Sequence, residues 1–129
     1  MRILAIALVA CAFAFPAAAA EPMPIEPKAL GERIAWADQS LFVLDVRTPG
    51  EYAAGHLPGA VNIPHDQIAA RLGELAGARE SDVVVYCRTG KRSAQALGLL
   101  DEAGFRRLFH LKGDYTRWTA EKRQVIAVQ

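Results

Sequence analysis

Cysteine is scarce in this sequence. Only Cys11 and Cys87 occur in 129 residues, so no framework of internal disulfides is available. The three histidines, His56, His65 and His110, are dispersed and share no ligand spacing with the cysteines, and no metal site is expected. Net charge is nearly absent, +1 at pH 7. Setting the first twenty residues aside removes only Arg2 and leaves 14 basic residues against 14 acidic ones. Such a balance gives no global pull toward nucleic acid or an anionic membrane surface. No internal repeat or low-complexity run follows residue 20. The length suits one domain and not two.

A long apolar run is present only at the start. Arg2 precedes the stretch Ile3 to Phe15, and Pro16 with Ala17-Ala18-Ala19-Ala20 follows it. A short positive segment, an apolar run and a small-residue site form the pattern of a cleavable signal peptide over 1–20. The run falls short of the roughly 20 apolar residues that a membrane span takes. Cleavage after Ala20 would place the mature chain in the periplasm or outside the cell, with no membrane attachment. Two other readings stand beside this one: a buried core helix, and a lipoprotein box Leu8-Val9-Ala10-Cys11 with Cys11 lipidated. With Cys11 removed, Cys87 is a lone thiol in an oxidising compartment, either inert and buried or reactive.

Residues 21–27 carry three prolines and read as an extended lead-in, leaving 28–129 for the domain. Pro27 suits a first helical turn, and Leu30, Ile34 and Ala37 recur on one face. Leu41 to Val46 is an apolar run of the kind found in strands covered on both faces. Thr48, Pro49 and Glu51 make a helix start, with the threonine as cap and the glutamate three residues on. Ala60 to Pro64 reads as a short strand. A helix is expected from His65 or Asp66, burying Ile68, Leu72 and Leu75. Asp82 to Tyr86 and Leu108 to Leu111 are further strands. A helix from Ser93 closes at Gly104-Phe105, and a last one surrounds Tyr115 to Glu121. Val125 to Val128 is a closing edge strand or a tail. Short apolar strands alternating with helices predict an α/β fold with a central, mostly parallel sheet and helices on both faces. In such sheets ligands bind beyond the carboxyl ends of the strands, where Asp45, Arg47 and Cys87 all fall.

The stretch from Val83 to Ser93 is the centre of the chain. A buried strand leads into Cys87, a short loop carries Arg88, Thr89, Gly90, Lys91 and Arg92, and a helix begins by Ser93. A thiol at that turn lies among free backbone N–H groups, the positive end of a helix dipole and three cationic side chains. Each favours the thiolate, which is the nucleophilic form. Gly90 fits a position of positive φ. The amides from Arg88 to Ser93 form a candidate anion cradle, and Arg92 is the candidate for gripping a substrate's oxygens through its fork of donors. Lys91 and Arg88 serve that substrate or form a solvated rim. Asp45 and Arg47 read as a pair locking strand to loop, and His56 as a hydrogen-bonding brace. Gly90-Lys91 does not make a nucleotide P-loop, because position 85 is not glycine and Arg92 stands where Ser or Thr is required.

Three blocks, Leu44 to Tyr52, Gly55 to Pro64 and Val85 to Ser93, resemble in order and spacing the single-domain rhodaneses. The likeness covers about residues 25 to 120, and is to the small exported thiosulfate sulfurtransferases. It implies a single rhodanese-like domain and a catalytic Cys87 that takes a sulfane sulfur as a persulfide and passes it to cyanide or a thiol. It implies a small anionic sulfur donor and a thiophilic acceptor as partners, with no cofactor, and a monomer is expected. In a tyrosine-phosphatase-like cradle the arginine stands at the position that Ser93 occupies. Arg92 comes one residue earlier, which by the resemblance suits sulfur. A non-catalytic module acting as sulfur carrier, redox sensor or partner-binding domain is the alternative. Many members have Gly-Gly ahead of a C-terminal tryptophan, whereas this chain has Lys112-Gly113 and Trp118. The lysine is read as replacing the first glycine.

Overall fold

A computed structural model describes residues 9–13 and 21–128. Residues 1–8 and 14–20, most of the expected leader, lie outside the described residues. Five strands form one sheet: β1 (Met23–Ile25), β2 (Leu41–Asp45), β3 (Val61–Asn62), β4 (Asp82–Tyr86) and β5 (Leu108–Leu111). Their order is β1-β5-β4-β2-β3, and every neighbouring pair is parallel. The lead-in is thus an edge strand, pairing Met23 with Phe109 and Ile25 with Leu111. An edge is where a strand tolerates a proline such as Pro24.

β4 lies in the middle and all five of its residues are buried. Its side chains alternate between two cores. Val83, Val85 and Cys87 join Leu44, Ile68 and Leu97 on one face. Val84 and Tyr86 join Leu30, Leu111 and Trp118 on the other. The first face is covered by α3 (Lys91–Glu102) and the segment 65–78, the second by α1 (Pro27–Ala35) and α4 (Asp114–Ala120). This is the expected α/β layering with helices on both faces.

Two elements differ from the sequence expectation, and at a third the structure decides between two readings. The segment after His65 is not an α-helix but two 3-10 turns, His65–Gln67 and Ala69–Ala78, kinked at Arg71. Gly73 and Gly77 weaken an α-helix there, and Leu72, Leu75 and Ala78 recur every third residue, the period of a 3-10 winding. α3 starts at Lys91, two residues before Ser93, because Gly90 ends the loop at φ 119° and acts as its cap. Val125–Val128 is not a sheet strand: Ile126 makes a single antiparallel bridge to His56. α2 (Pro49–Ala54) begins as the sequence predicts, with Thr48 and Glu51 closing a capping box around Pro49.

Candidate active site

β4 delivers Cys87 to the carboxyl edge of the sheet, and three residues separate it from α3. The hydrogen bonds of the turn converge on its sulfur. Gly90 N–H donates to Cys87 Sγ at 3.0 Å and Ser93 N–H at 3.3 Å. Both amides belong to the start of α3, where backbone donors lack helical partners and the dipole is positive. The residue is 1% exposed, so the sulfur sits inside the loop, with its polar neighbours aimed at it. That arrangement suits an anion. The left-handed conformation of Gly90 makes the convergence possible.

The rest of the loop is held from α4. Tyr115 N–H donates to the Cys87 carbonyl at 2.9 Å, and Thr116 donates through its amide (3.2 Å) and hydroxyl (2.9 Å) to the Arg88 carbonyl. Arg88, Thr89 and Lys91 are exposed, Gly90 and Arg92 are partly buried, and Ser93 is buried. Arg92 is already engaged. Its guanidinium makes a two-pronged pair with Glu51 of α2, at 2.7 and 3.1 Å. The pair, with burial opposing it and Thr48 helping, holds the Glu51 carboxyl down at about 2. Sequence reading used Glu51 only as a capping residue and missed this contact.

Beneath the strand ends, Arg47 and Asp45 form a buried ion pair at 2.6 Å. Arg47 also donates to the Gly55 carbonyl, and its guanidinium lies 4.0 Å from the centre of the Tyr115 ring. Tyr86 donates its hydroxyl proton to Asp45 at 2.6 Å and accepts from Leu57 N–H. Burial first, and then the Asp45 carboxylate, push the Tyr86 pKa up and keep it a neutral donor. His56 stacks on Tyr52 and bonds its carbonyl through Nδ1 at 2.8 Å. The side-chain hydrogen bonds of these groups build the loop floor, and none of them goes to Cys87. A cavity of about 380 Å³ opens beside the loop between Arg47, Glu51, Gly55, Arg88, Tyr115 and Thr116. Among the described residues, no group of His, Cys, Asp and Glu side chains is placed to hold a metal ion.

Sequence reading also missed Asp114. Its carboxylate is buried and accepts from Cys87 N–H and the Ser93 hydroxyl, with His110 against both oxygens. Burial pushes its pKa up, but the bonds from His110, Cys87 and Ser93 outweigh that and hold it below the usual carboxylate range. The place of the missing glycine is corrected too. The two successive left-handed residues are Gly113 (φ 76°) and Asp114 (φ 52°). Asp114, and not Lys112, therefore occupies the second glycine-like position. The signal was a polar residue directly after Gly113.

A parallel sheet carrying a cysteine in an amide-lined turn at the edge of its central strand defines the class. The family model of the rhodanese-like domain matches residues 26–121, and the chain belongs to that family. It is similar to a sulfurtransferase of Allochromatium vinosum, 36% identical over 103 residues that cover 80% of this chain and 94% of that protein. It is also similar to the thiosulfate sulfurtransferase PspE of Escherichia coli, 37% identical over 62 residues, 48% of this chain and 60% of that one. Among solved structures, the Alr3790 protein from Anabaena superposes with a TM-score of 0.74 at 28% identity, covering 81% of this chain and 82% of its own.

Proposed function

We propose that this chain is a thiosulfate sulfurtransferase that carries sulfane sulfur on Cys87. The observation that carries the reading is the convergence of the Gly90 and Ser93 amide hydrogens on Cys87 Sγ. In the first half-reaction the thiolate attacks the outer sulfur of thiosulfate. A new S–S bond forms to Cys87, the old S–S bond breaks, and its electron pair leaves with sulfite. In the second, cyanide or a thiolate attacks the outer sulfur of the persulfide, and the electron pair returns to Cys87 Sγ. The turn then holds an anion at every stage, as thiolate or as persulfide, and preoriented amides stabilise such charge without reorganising.

Arg92 binds the sulfonate end of the donor by exchanging Glu51 for it, since a sulfonate offers the same paired oxygens that the carboxylate does. Exposed Arg88 and Lys91 draw the anion to the loop. The cavity lined by Arg47, Arg88 and Thr116 gives it a polar approach. The leader pattern of residues 1–20 supports action outside the cytoplasm, in the periplasm or beyond the cell. Thiocyanate release from thiosulfate and cyanide tests the reading. Wild type should turn over and gain the mass of one sulfur on Cys87 after donor alone, and Cys87→Ser should do neither. Equal rates for the two proteins would remove the proposal.

A further inference from the structure

Asp114 is an aspartate in a glycine's conformation. Left-handed backbone costs a side-chain-bearing residue steric strain that glycine escapes, and the residue before it, Gly113, is left-handed as well. The strained residue places a carboxylate, only 2% exposed, under the sulfur's turn. Oδ1 accepts from Cys87 N–H at 3.0 Å and from Ser93 Oγ at 2.9 Å. His110 Nε2 lies 3.0 Å from both carboxylate oxygens and fixes their orientation. Oδ2 lies below Gly90, so close that a Cβ built there would come within 3.1 Å of it. Cys87 carries the sulfur, and Gly90 and Ser93 donate to it. One carboxylate therefore bonds or underlies all three residues of the cradle.

We propose that Asp114 is a positioning residue: its carboxylate, seated by His110, ties the exit of β4 to the first turn of α3 at the separation where the Gly90 and Ser93 amides meet the Cys87 sulfur. The backbone bonds from Tyr115 and Thr116 hold the outer side of the loop at the carbonyls of Cys87 and Arg88. On the inner side, among the described residues, Asp114 is the one other side chain that hydrogen-bonds to Cys87 and Ser93. A carboxylate beneath an anionic sulfur is electrostatically unfavourable, so its presence there is explained by geometry and not by charge. The hydrogen-bonding contact of His110 Nε2 with both carboxylate oxygens offsets part of that cost.

Two variants of the full chain separate position from strain and from charge. Asp114→Gly removes the carboxylate and relieves the left-handed residue, so the fold is retained. Asp114→Asn keeps an oxygen for Cys87 and Ser93 while removing the charge. Amide hydrogen exchange is read at Gly90 and Ser93, with Val83 to Tyr86 as the internal reference. In Asp114→Gly the two loop amides should exchange about tenfold faster or more while the strand stays protected. Its kcat with thiosulfate and cyanide should fall on the order of tenfold to a hundredfold, with KM for thiosulfate little changed. Asp114→Asn should stay within about threefold of wild type in both readouts, well inside the hundredfold cost of a misplaced group. Wild-type exchange in Asp114→Gly, altered exchange with unaltered kcat, a change confined to KM, or an Asp114→Asn as impaired as the glycine variant would each overturn the proposal. The kinetic arm rests on the sulfur-transfer reading and the exchange arm does not. An inactive wild type would sink that reading and leave the exchange at Gly90 and Ser93 to decide this one.

Discussion

Tyr86 precedes Cys87 and, by strand alternation, points its side chain to the opposite face of the sheet. Its hydroxyl joins two parts of the floor, donating to Asp45 and accepting from Leu57 N–H at 3.1 Å. Tyr86→Phe keeps the ring and orphans a buried amide hydrogen. The expected cost is about 1–3 kcal/mol of stability, read as a lower denaturation midpoint with an unchanged slope. No loss would mean that the hydroxyl contributes nothing net. At this scale the sequence was legible where chemistry is local. The amide-lined turn at Cys87, the positive φ of Gly90 and the Thr48 cap all follow from neighbours within a few positions. The role of Asp114 was hidden because two of its three partners, Ser93 and Cys87, lie 21 and 27 residues away, and a polar residue after Gly113 announces neither. The Arg92 contact with Glu51 spans 41 residues and was hidden for the same reason.

Among the elements, α2 and α3 are coupled through Glu51, which closes the capping box of one helix and grips Arg92 of the other. Its folded pKa of about 2 lies below the ordinary 4.5, so the folded state binds its proton less readily than the unfolded chain does. The stabilisation is therefore complete above about pH 4.5 and is lost as pH falls toward 2. Screening at this partly exposed carboxylate limits the contribution to about 1 kcal/mol. Glu51→Gln should be less stable than wild type at pH 6 by about that amount, and the two acid-unfolding curves should converge near pH 2. Parallel curves across the range would contradict the pair. The same variant frees Arg92, and thiosulfate KM should fall if the arginine grips the donor. Helix and strand positions were largely visible in the apolar periodicity, but β1 was not. Its three residues sit among prolines and earn their strand state only from β5, far along the chain. The 3-10 segment was misread because its apolar spacing admits either winding until the cover it must provide is known.

For the whole molecule, the residues after α4 act as a clasp. Ile126 exchanges two backbone bonds with His56 at 2.8 and 2.9 Å, and Val128 N–H reaches the Ala53 carbonyl at 2.9 Å. The Gln124 carbonyl accepts from the Trp118 indole. Deleting residues 124–129 should speed amide exchange across 53–57 while leaving Val83 to Tyr86 protected, with a drop in Tm of several degrees for each kcal/mol lost. Unchanged exchange across 53–57 would show the clasp to be idle. The layered architecture was readable from alternation of strands and helices, whereas the order of the strands was not, since order depends on which apolar faces meet.

That order has a consequence for how the protein is made. Of the five strands β1 is translated first, and β5, the strand it pairs with among the described residues, is translated last. Until Leu108 to Leu111 emerge, β1 lacks the strand it pairs with, and one side of β4 stands open. Completion of the sheet thus waits for its fifth strand, and the earlier four cannot close it among themselves.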